Sequence, residues 1–516
     1  MLIIRNIKLK KDDRDELKKK IGQIIRKDDF SYQIYRKSID ARKGISFVYQ
    51  VLVDVNLPEK VVKKNKDIDY YEEEDFILKE VDKDKTVTIV GTGPAGLFCG
   101  YLLLKYGARV RIIERGSEIS KREEDIERFL KTGELDENSN VQFGEGGAGT
   151  FSDGKLTART KDPRVRQVLQ TFVDNGANED IMYEAKPHIG TDILRTVIVN
   201  MRRAMIEMGG EFIFDSKFDD LEIVDGHCSY MKVGDEKYES DAYVLALGNS
   251  SRDTFYMLKD KIFMANKPFA VGFRIEHPQK MIDFSQYHTE DPSLPAASYQ
   301  LSYSEKNKRG VYTFCMCPGG YVINASSERE RLCVNGMSYH KRDGENANSA
   351  LVCGIDESLY GENLLDGIKF QEGIEERAFK LGGSSYLAPV QRVGDYLAGK
   401  KTEKLGEIRP TARPGYVLAD LNSIYPAYIN ENIKKALIEL DKKLKGFAME
   451  DALLTGVETR TSSPVRLNRD DLLRSQGIDN LYVIGEGSGY SGGIVSSAID
   501  GLKAAESILT GRVRKY

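Results

Sequence analysis

Three glycines in the first quarter of the chain have the spacing of a phosphate-binding turn. Gly91, Gly93 and Gly96 follow a short β-branched run and precede an apolar, helix-like segment. In that pattern the first glycine permits a tight turn, the second lets the backbone approach a pyrophosphate, and the third permits close helix packing. Glu114 closes the next strand-like run, where a carboxylate can accept hydrogen bonds from a ribose. The spacing predicts a dinucleotide site without specifying the dinucleotide.

A second candidate for chemistry is the pair Cys315 and Cys317. Two residues apart on a strand-like segment, their thiols would share one face, so that one could react while the other resolves it. The same alternation also fits two small side chains in a core, since free cysteine is commonly buried. We predict both thiols as catalytic candidates and keep the core alternative open.

Two arginines in the segment TRTSSPVR are candidates for substrate binding. Arg460 and Arg466 could bind a carboxylate or a phosphate, because the guanidinium fork matches both anions. The alternative is a loop tied to the sheet by local hydroxyl bonds. His188 and His340 are possible proton donors, but an isolated histidine is more often a structural hydrogen-bonding residue.

Composition excludes several classes of protein. The 516 residues carry a net charge of -4 and 41% are apolar, which gives no global sign of nucleic-acid or membrane binding. The chain has no apolar run near ~18 residues and too short an apolar start for a signal peptide, so we expect a cytoplasmic protein without a membrane partner. Six cysteines are too sparse for a disulfide framework, and the histidines lack metal-ligand spacing.

The first 66 residues predict a small basic α/β domain. A strand over Leu2 to Leu9 and a helix over Asp13 to Arg26 precede two further strands, and the segment holds 18 Lys and Arg against 9 Asp and Glu. Residues 67–84 reverse this, with nine acids against two lysines, and predict an acidic linker. The basic surplus fits either a solvated face or a surface for RNA or another anionic partner.

Residues 85–265 contain the elements that must position the glycine turn. A second glycine cluster, residues 144–154, offers bare backbone N–H groups that suit close approach of a ligand. The apolar run that ends at Gly248 predicts a buried parallel strand whose carboxyl end reaches a crevice. These residues predict the first part of a nucleotide-binding domain.

The pattern of predicted elements changes at residue 266, and the earlier pattern returns after residue 454. Residues 266–454 read as an inserted, mainly antiparallel domain, with a strand over Ala297 to Leu301 and a helix over Ala448 to Leu454. Residues 455–516 repeat the pattern of strand, glycine turn and helix. A helix that starts at Gly493 would direct its positive end at the charge of a reduced flavin, which favours a flavoprotein over an NAD-binding domain.

Several longer motifs resemble the bacterial family of uncharacterised FAD-dependent dehydrogenases, within the glutathione reductase-like superfamily. The resemblance runs from about Lys85 to the C-terminus, and SIDARK resembles that family's leading domain. The motifs are FGEGGAGTFSDGKL, KPHIGTD, CMCPGG, NGMSYHKRDGENANSAL, QRVGDYL, ETRTSSPVR and GEGSGYSGGIVSSAIDG. The resemblance implies an α/β fold: a Rossmann-like FAD-binding domain, an inserted cap domain and a small N-terminal domain, for which we considered a ferredoxin-like fold.

The resemblance also implies which residues bind FAD. Glu114 would contact the adenosine ribose, and Glu486 would take a ribityl-contacting position usually held by Asp, so the longer side chain weakens that assignment. The other predicted cofactor-binding residues are Gly91, Gly93, Ala95, Gly96, Arg115, Gly146, Gly147, Thr150, Gly248, Gly485, Gly493 and Ile494.

The predicted function is an FAD-dependent oxidoreductase that transfers a hydride to or from flavin N5 on a small-molecule substrate. A dithiol reductase is disfavoured, because the first helix carries only Cys99 and no second fingerprint follows. NAD(P)H as a transient electron donor would therefore reach the flavin without a domain of its own. The alternative is an RNA-associated flavoprotein that docks through residues 1–66. The sequence predicts neither the substrate nor the oligomeric state.

Overall fold

A computed structural model describes residues 1–72, 76–158, 160–305 and 309–516. The N-terminal unit consists of β1 (Leu2–Leu9), α1 (Arg14–Ile25), β2 (Ser31–Asp40), β3 (Ser46–Asp54), α2 (Glu59–Lys64) and β4 (Ile68–Tyr70). Its strands pair antiparallel in the order β2-β3-β1-β4. Helix α1 starts after Asp13, whose carboxylate accepts from the backbone N–H groups of Asp15 and Glu16. It buries Leu17, Ile21 and Ile25 against the sheet, one residue per turn.

The N-terminal unit extends into the segment that the charge reversal marked as a linker. Strand β4 lies within residues 67–84 and pairs with β1, and the backbone N–H of Tyr71 donates to the carbonyl of Met1 at 3.1 Å. Burial of Ile68 explains this pairing, which net charge could not predict. The predicted linker residues Glu73, Glu74 and Asp75 lie outside the described residues.

Residues 86–258 contain seven strands and five α-helices among the described residues. The strands are β5 (Thr86–Val90), β6 (Arg109–Ile113), β7 (Glu211–Ile213), β8 (Asp220–Val224), β9 (His227–Val233), β10 (Glu236–Tyr238) and β11 (Ala242–Leu245). The helices are α3 (Pro94–Lys105), α4 (Ile119–Thr132), α5 (Arg164–Asp174), α6 (Thr191–Glu207) and α7 (Arg252–Leu258). Strands β8, β9 and β10 form a separate antiparallel sheet.

The remaining residues contribute the second large sheet and the last strand and helix. The strands are β12 (Met264–Asn266), β13 (Phe269–Pro278), β14 (Ser302–Tyr303), β15 (Val311–Cys317), β16 (Tyr321–Asn324), β17 (Val334–Met337), β18 (Asn346–Ile355), β19 (Ala388–Arg392), β20 (Tyr416–Leu418), β21 (Leu453–Glu458), β22 (Val465–Leu467) and β23 (Leu481–Val483). The helices are α8 (Gln279–Tyr287), α9 (Glu357–Tyr360), α10 (Asp366–Leu381), α11 (Val393–Ala398), α12 (Ala427–Asp441) and α13 (Ile494–Thr510).

Two sheets organise the body of the protein. The first is parallel, with the order β23-β11-β5-β6-β7, so the last strand of the chain completes a sheet begun by β5. The second has the order β14-β15-β18-β13-β21-β19-β20 and is antiparallel except between β19 and β20. Its central strands β13 and β18 are buried along almost their whole length, because helices such as α12 cover them. The mixed α/β class is confirmed.

Two predicted elements in this second sheet are wrong. The segment Ala297 to Leu301 is not a strand, and the neighbouring Ser302–Tyr303 pairs with β15 instead. The predicted helix Ala448 to Leu454 is replaced by a turn and β21, which pairs with β13 and β19. Tertiary pairing of this apolar segment overrides the helix propensity of its Ala and Leu residues.

In the part of the chain that the structure describes, no helix is both long enough and apolar enough to cross a bilayer. The same residues contain no group of three or more His, Cys, Asp and Glu side chains arranged to hold a metal ion.

Candidate functional site: a cofactor cleft

A cleft of about 1410 Å³, part of it open to solvent, runs past the carboxyl ends of β5, β11 and β23. The carboxyl edge of a parallel sheet is where ligands bind in folds of this class, because the helices that follow the strands begin there. The predicted site residues that line the cleft are Gly91, Gly93, Ala95, Glu114, Arg115, Gly147, Gly248, Cys315, Arg460, Gly485, Glu486, Gly493 and Ile494.

The turn between β5 and α3 has the geometry that its glycines predict. Gly91 has a φ of 103°, a conformation that favours glycine, and its N–H donates to Ile113 at 2.8 Å. A Cβ on Gly96 would lie 1.9 Å from the carbonyl oxygen of Gly91, so Gly96 permits packing and does not line the cleft. A Cβ on Gly93 would meet no heavy atom within 4 Å, which leaves this backbone bare toward the cleft.

Glu114 lies at the predicted place but is already fully hydrogen-bonded by the protein. Oε2 accepts from the N–H and the hydroxyl of Thr92, at 2.9 and 2.7 Å. Oε1 accepts from the N–H groups of Gly116 and Gly144, at 3.0 and 3.1 Å. A carboxylate has about four acceptor positions, so a ribose hydroxyl would have to share or replace one of these bonds. Glu114 therefore joins the two glycine segments as well as facing the cleft.

Aromatic side chains line the cleft beside Glu114. The guanidinium of Arg115 lies 4.3 Å from the ring centre of Phe143 and donates to Asp253 at 2.9 Å. Phe218 and Thr254 complete this wall. An apolar wall next to a carboxylate suits an adenosine, whose base is flat and whose ribose is polar.

The second glycine cluster packs directly on the first. A Cβ on Gly147 would lie 3.1 Å from the Cα of Gly93, and Gly147 has a φ of 65°. Gly146 and Thr150 do not line the cleft, because a Cβ on Gly146 would lie 2.1 Å from the hydroxyl of Thr150. These two residues shape the loop from behind, and their predicted contact with the cofactor stays a prediction.

Glu486 lies at the carboxyl end of β23 with acceptor capacity left over. Among the described residues, its hydrogen bond comes from Nδ2 of Asn249, 3.1 Å from Oε1. Burial raises the pKa of Glu486 to about 7, and the nearby Lys267 opposes this shift. Helix α13 starts just beyond, with Gly493 at a φ of 134° and Ile494 as its first residue. Its free N–H groups and positive dipole end line the same cleft.

The cysteines do not share one face. A register shift interrupts the pairing of β15 with β18 between Phe314 and Cys317, and Cys315 has a φ of 42°. Cys315 is exposed to the cleft, whereas Cys317 is fully buried against Arg274, whose Nη2 lies 3.6 Å from its sulfur. The thiol of Cys315 opens to the cleft but is surrounded by protein, and this desolvation raises its pKa to about 12; burial also raises the pKa of Cys317. The bulge thus separates the predicted pair, and both thiols remain protonated at neutral pH.

A carboxyl that sequence reasoning missed lies on the same side of the cleft as Cys315. Glu458, the last residue of β21, lines the cleft and is 4% exposed. Nη1 of the buried Arg274 donates to its Oε2 at 3.2 Å, and Arg274 also donates to Asn348 and to the carbonyl of Cys315. Burial raises the pKa of Glu458 above its ordinary value, although Arg274 opposes the shift. Phe314 and Asn335 complete this wall.

Arg460 lines the cleft but is committed to a buried ion network. Its Nε and Nη2 donate to both oxygens of Glu375, at 3.0 and 2.7 Å, and its Nη1 donates to Ser327. Arg252 donates to the same carboxylate at 2.7 and 2.9 Å. Two guanidinium groups hold the pKa of Glu375 far below its usual range. Arg460 therefore fixes the cleft wall, and binding of a substrate anion would compete with this network.

Arg466 lies outside the cleft lining, and its predicted role in substrate binding stays a prediction. It is the middle residue of β22, whose neighbours Val465 and Leu467 are buried. The alternation of a strand turns its side chain outward, 5.2 Å from the ring centre of Tyr490.

Some of the cleft-lining residues that were not predicted lie next to a recognised motif, and others do not. Phe143 and Asn249 each adjoin a glycine that the motifs already identify, and Glu458 begins the motif ETRTSSPVR, so closeness to these motifs was a usable signal. Asn335 begins the motif NGMSYHKRDGENANSAL and carries the same signal, whereas Phe218 comes from a separate segment that only the folded chain brings to the cleft.

The residues of the cleft fit FAD. A Cβ on Gly93, Gly248 or Gly492 would meet no heavy atom within 4 Å, so bare backbone faces the space where a pyrophosphate and ribityl chain must pass. Glu486 has acceptor capacity for a hydroxyl, and a helix N-terminus lies beside it. The two ends of the chain thus form one elongated site with an apolar wall and a polar wall.

The fold and the cleft define an FAD-dependent protein, and comparison with known proteins agrees. Residues 84–123 match the family described as FAD binding domain, and residues 268–461 match the family described as FAD-dependent protein, C-terminal domain-like. An uncharacterized protein of Clostridium beijerinckii is 46% identical over 525 residues, which covers 98% of each chain. The chain belongs to the same family of FAD-dependent proteins, and FAD is its cofactor.

Solved structures with a similar fold are more distant. The flavin-dependent halogenase CmlS is 12% identical with a TM-score of 0.38, covering 82% of this chain and 58% of that chain. Glycine oxidase from Bacillus cereus is 10% identical with a TM-score of 0.38, covering 84% of this chain and 99% of that chain.

Proposed function

We propose that the protein is an FAD-dependent oxidoreductase that exchanges a hydride with a small-molecule substrate on the Cys315 side of the cleft. The observation that carries this proposal is Glu458, a buried carboxyl that lines a cleft otherwise built to bind a cofactor. Its raised pKa favours the protonated form more than in an ordinary carboxyl, and a group that can hold and release a proton is what hydride exchange with an alcohol, amine or carbonyl requires. Perturbed carboxyls in clefts are common at catalytic sites.

The side chains around Glu458 have complementary roles. Bound FAD supplies the hydride chemistry, and the protein supplies position and charge. Arg274 orients the Glu458 carboxyl and keeps its charged form accessible. The thiol of Cys315 would contact the substrate as a small neutral group, because its pKa is too high for a thiolate at neutral pH. A redox role for Cys315 with Cys317 would require a movement that brings the two sulfurs to one face.

The finer parts of the fold prediction also belong to this proposal. The sheet that contains β13 and β18 would act as the inserted cap over the flavin, since it contributes Phe314, Cys315 and Glu458 to the cleft. The N-terminal unit would be ferredoxin-like, an assignment that its β-α-β-β-α-β element order and antiparallel sheet support. The parallel sheet with its glycine turn supports membership of the glutathione reductase-like superfamily.

NAD(P)H as an electron donor remains compatible with this cleft. The RNA-associated alternative is not favoured, because the family matches are to FAD-dependent proteins. Several basic side chains of the N-terminal unit are also paired within the protein, including Lys37 with Asp12 and Arg42 with Asp40.

Anaerobic stopped-flow spectroscopy tests the proposed role of Glu458. The FAD-loaded protein is mixed with NADH, NADPH and a panel of hydroxy acids, alcohols and amines, and bleaching of the flavin is followed between pH 6 and pH 9. For any compound that reduces the flavin, Glu458→Gln should lower the rate about 100-fold or more, the usual contribution of acid–base catalysis. The matched control is Glu276→Gln, which changes another buried carboxyl that does not line the cleft.

The proposal predicts that Glu276→Gln stays within about twofold of wild type, whereas Glu458→Gln also loses the acid limb of the pH profile. Equal rates and equal pH profiles for wild type and Glu458→Gln would show that this carboxyl carries no proton. Failure of every compound in the panel to reduce the flavin, while dithionite does, would count against hydride exchange with these substrate classes.

A further inference from the structure

A second cavity lies between the N-terminal unit and the body of the protein. One wall includes residues 37–40 of β2 and the adjoining Ala41 and Arg42. The facing wall comes from segments within residues 180–188 and 286–298, together with His340 and Arg342. Its empty volume is about 2490 Å³, including the part open to solvent. Among the described residues, its lining shares none with the cofactor cleft. We call this cavity the N-terminal groove.

Specific bonds fix the N-terminal wall against the body. The N–H of Lys37 donates to the carbonyl of Tyr183 at 2.7 Å, and the N–H of Ala185 donates to the carbonyl of Lys37 at 2.8 Å. The ammonium of Lys37 pairs with Asp12 at 2.6 Å and with Glu184 at 2.9 Å. The groove is therefore built into the fold and is not a loose gap between two units.

The cations of the N-terminal wall are balanced by acids of the groove, two from the same wall and Glu184 from the facing wall. Arg42 pairs with Asp40 at 2.9 Å, and Lys8 lies 3.8 Å from the same carboxylate. Together with Lys37 and its two acids, three cations face three carboxylates. This wall offers little net attraction to an anion.

The facing wall carries a local surplus of positive charge. Nη2 of Arg342 donates to Asp153 at 2.6 Å, and the ammonium of Lys155, just behind the wall, lies 3.5 Å from the same carboxylate. Lys186 donates to the hydroxyl of Ser298 at 3.0 Å and has no carboxylate within 4.0 Å among the described residues. Counting Asp180, which lines the same wall, three cations stand against two carboxylates and leave a charge of 3 − 2 = +1.

The titration of neighbouring groups is consistent with an uncompensated field. The pKa of Lys186 is lowered by burial and then by Lys155 and Arg342, so cations rather than acids dominate its surroundings. Burial and Arg342 lower the pKa of His188, which lines the same wall, to about 4. Asp180 also lines the groove and makes no ion pair with Lys186 or Arg342 among the described residues. His188 is neutral at pH 7, and the surplus belongs to the lysines and the arginine.

We propose that the N-terminal groove binds a small anionic molecule whose phosphate or carboxylate group is held by Lys186 and Arg342. Lys186 is exposed in the groove and makes no ion pair among the described residues, so its charge is available to a bound anion, which Arg342 also attracts. The arginine offers planar donors and the lysine offers a point charge, a combination that suits both anionic groups. The cavity is much larger than one such group, so the rest of the molecule lies between the two walls. This site is independent of the proposed hydride exchange.

Isothermal titration calorimetry of the full-length, FAD-saturated protein at low ionic strength tests the proposal. The probes are pyrophosphate and citrate, which separate a phosphate ligand from a carboxylate ligand, and saturation with FAD keeps pyrophosphate out of the cofactor cleft. At least one probe should bind wild type. Lys186→Met should weaken that binding about tenfold or more, the usual effect of losing one charged hydrogen bond, while Lys186→Arg retains most of it.

The matched control is Lys105→Met, which removes an exposed lysine in the last turn of α3, outside the groove. It should bind the probe as wild type does, and Lys186→Gln serves as a second neutral variant with a similar expected loss. The proposal is overturned if neither probe binds wild type, if both neutral variants of Lys186 bind as wild type does, or if Lys105→Met weakens binding equally. Since heat of binding is measured without any substrate of the flavin, failure here leaves the proposed hydride exchange untouched.

Discussion

Replacing Glu486 by glutamine should weaken FAD binding in a way that depends on pH. Glu486 faces the cleft with one protein hydrogen bond, from Asn249, and burial raises its pKa to about 7. The amide keeps the size and one acceptor oxygen of the side chain but cannot ionise. The substitution therefore isolates the charge from the shape of the contact.

The magnitude follows from the strength of charged and neutral hydrogen bonds. A hydrogen bond to a charged group contributes roughly 1.5–3 kcal/mol and a neutral one roughly 0.5–1.5 kcal/mol, so losing the charge should cost about 1–1.5 kcal/mol. That corresponds to about tenfold weaker FAD binding at pH 8, where the carboxyl of Glu486 is mostly ionised. At pH 6 the carboxyl is mostly protonated and resembles the amide, so the ratio should shrink to about twofold.

The direction in which the FAD affinity of wild type changes with pH can also be predicted. Hydroxyl donors from the ligand favour the ionised carboxylate, so binding should lower the pKa of Glu486 and release a proton near pH 7. FAD affinity of wild type should therefore rise between about pH 6 and pH 8, and that rise should disappear in Glu486→Gln.

Quenching of FAD fluorescence, titrated at pH 6, 7 and 8 at constant ionic strength, measures both effects. Glu276→Gln is a matched control, because burial raises the pKa of Glu276 to about 7 as well but this residue does not line the cleft. Its FAD affinity should follow that of wild type at every pH. A ratio of wild-type to Glu486→Gln affinity that is the same at pH 6 and pH 8 would refute the reasoning.

Three other predictions follow from single residues. Gly96→Ala should reduce bound FAD and lower the unfolding temperature, because its Cβ would lie 1.9 Å from the carbonyl oxygen of Gly91. The control Gly373→Ala, in α10, has room for a Cβ and should stabilise the protein by about 0.5–1 kcal/mol in thermal melts. Burial raises the pKa of Glu276 to about 7, so the folded state binds this proton more tightly than the unfolded chain does. The free energy of unfolding, measured by urea titration, should therefore fall by at most about 3 kcal/mol as pH rises from about 4.5 to about 7. Glu276→Gln should remove this fall. Because its pKa is about 12, Cys315 should be alkylated slowly at pH 8 and faster with each rise in pH up to pH 10. Mass spectrometry measures this labelling, and fast labelling at pH 7 would contradict that pKa.

Much of the cofactor cleft could be predicted because its chemistry is local in sequence. The turn at Gly91 and Gly93 requires bare backbone within a few residues of a strand end, and that requirement is visible as spacing. The same holds for Gly485 and Gly493, which lie between a short apolar strand and a helix. A strand, a glycine turn and a helix in register leave few alternative folds.

Residues whose roles depend on partners far away in sequence could not be predicted in the same way. Cys315 and Cys317 alternate as on a regular strand, yet the bulge in β15 places them in different surroundings. The sequence predicts Arg460 as an anion-binding residue, but in the fold two of its donors bind Glu375 of α10. In both cases the sequence contains the residue but not the partner that decides its role.

The two halves of the FAD site are held together by a direct contact between the first and the last helix of the body. A Cβ on Gly501 of α13 would lie 2.2 Å from the carbonyl of Ala95 in α3, so the two helices touch backbone to backbone beside the cleft. One residue earlier, Asp500 accepts from the N–H of Gly485 at 2.9 Å and from Arg469 at 2.8 Å, which ties α13 to the end of β23. The glycine turn that opens the fold and the helix N-terminus that closes it are therefore parts of one rigid unit. This contact explains why a chain with more than 300 residues between the two segments can still present both to a single cofactor.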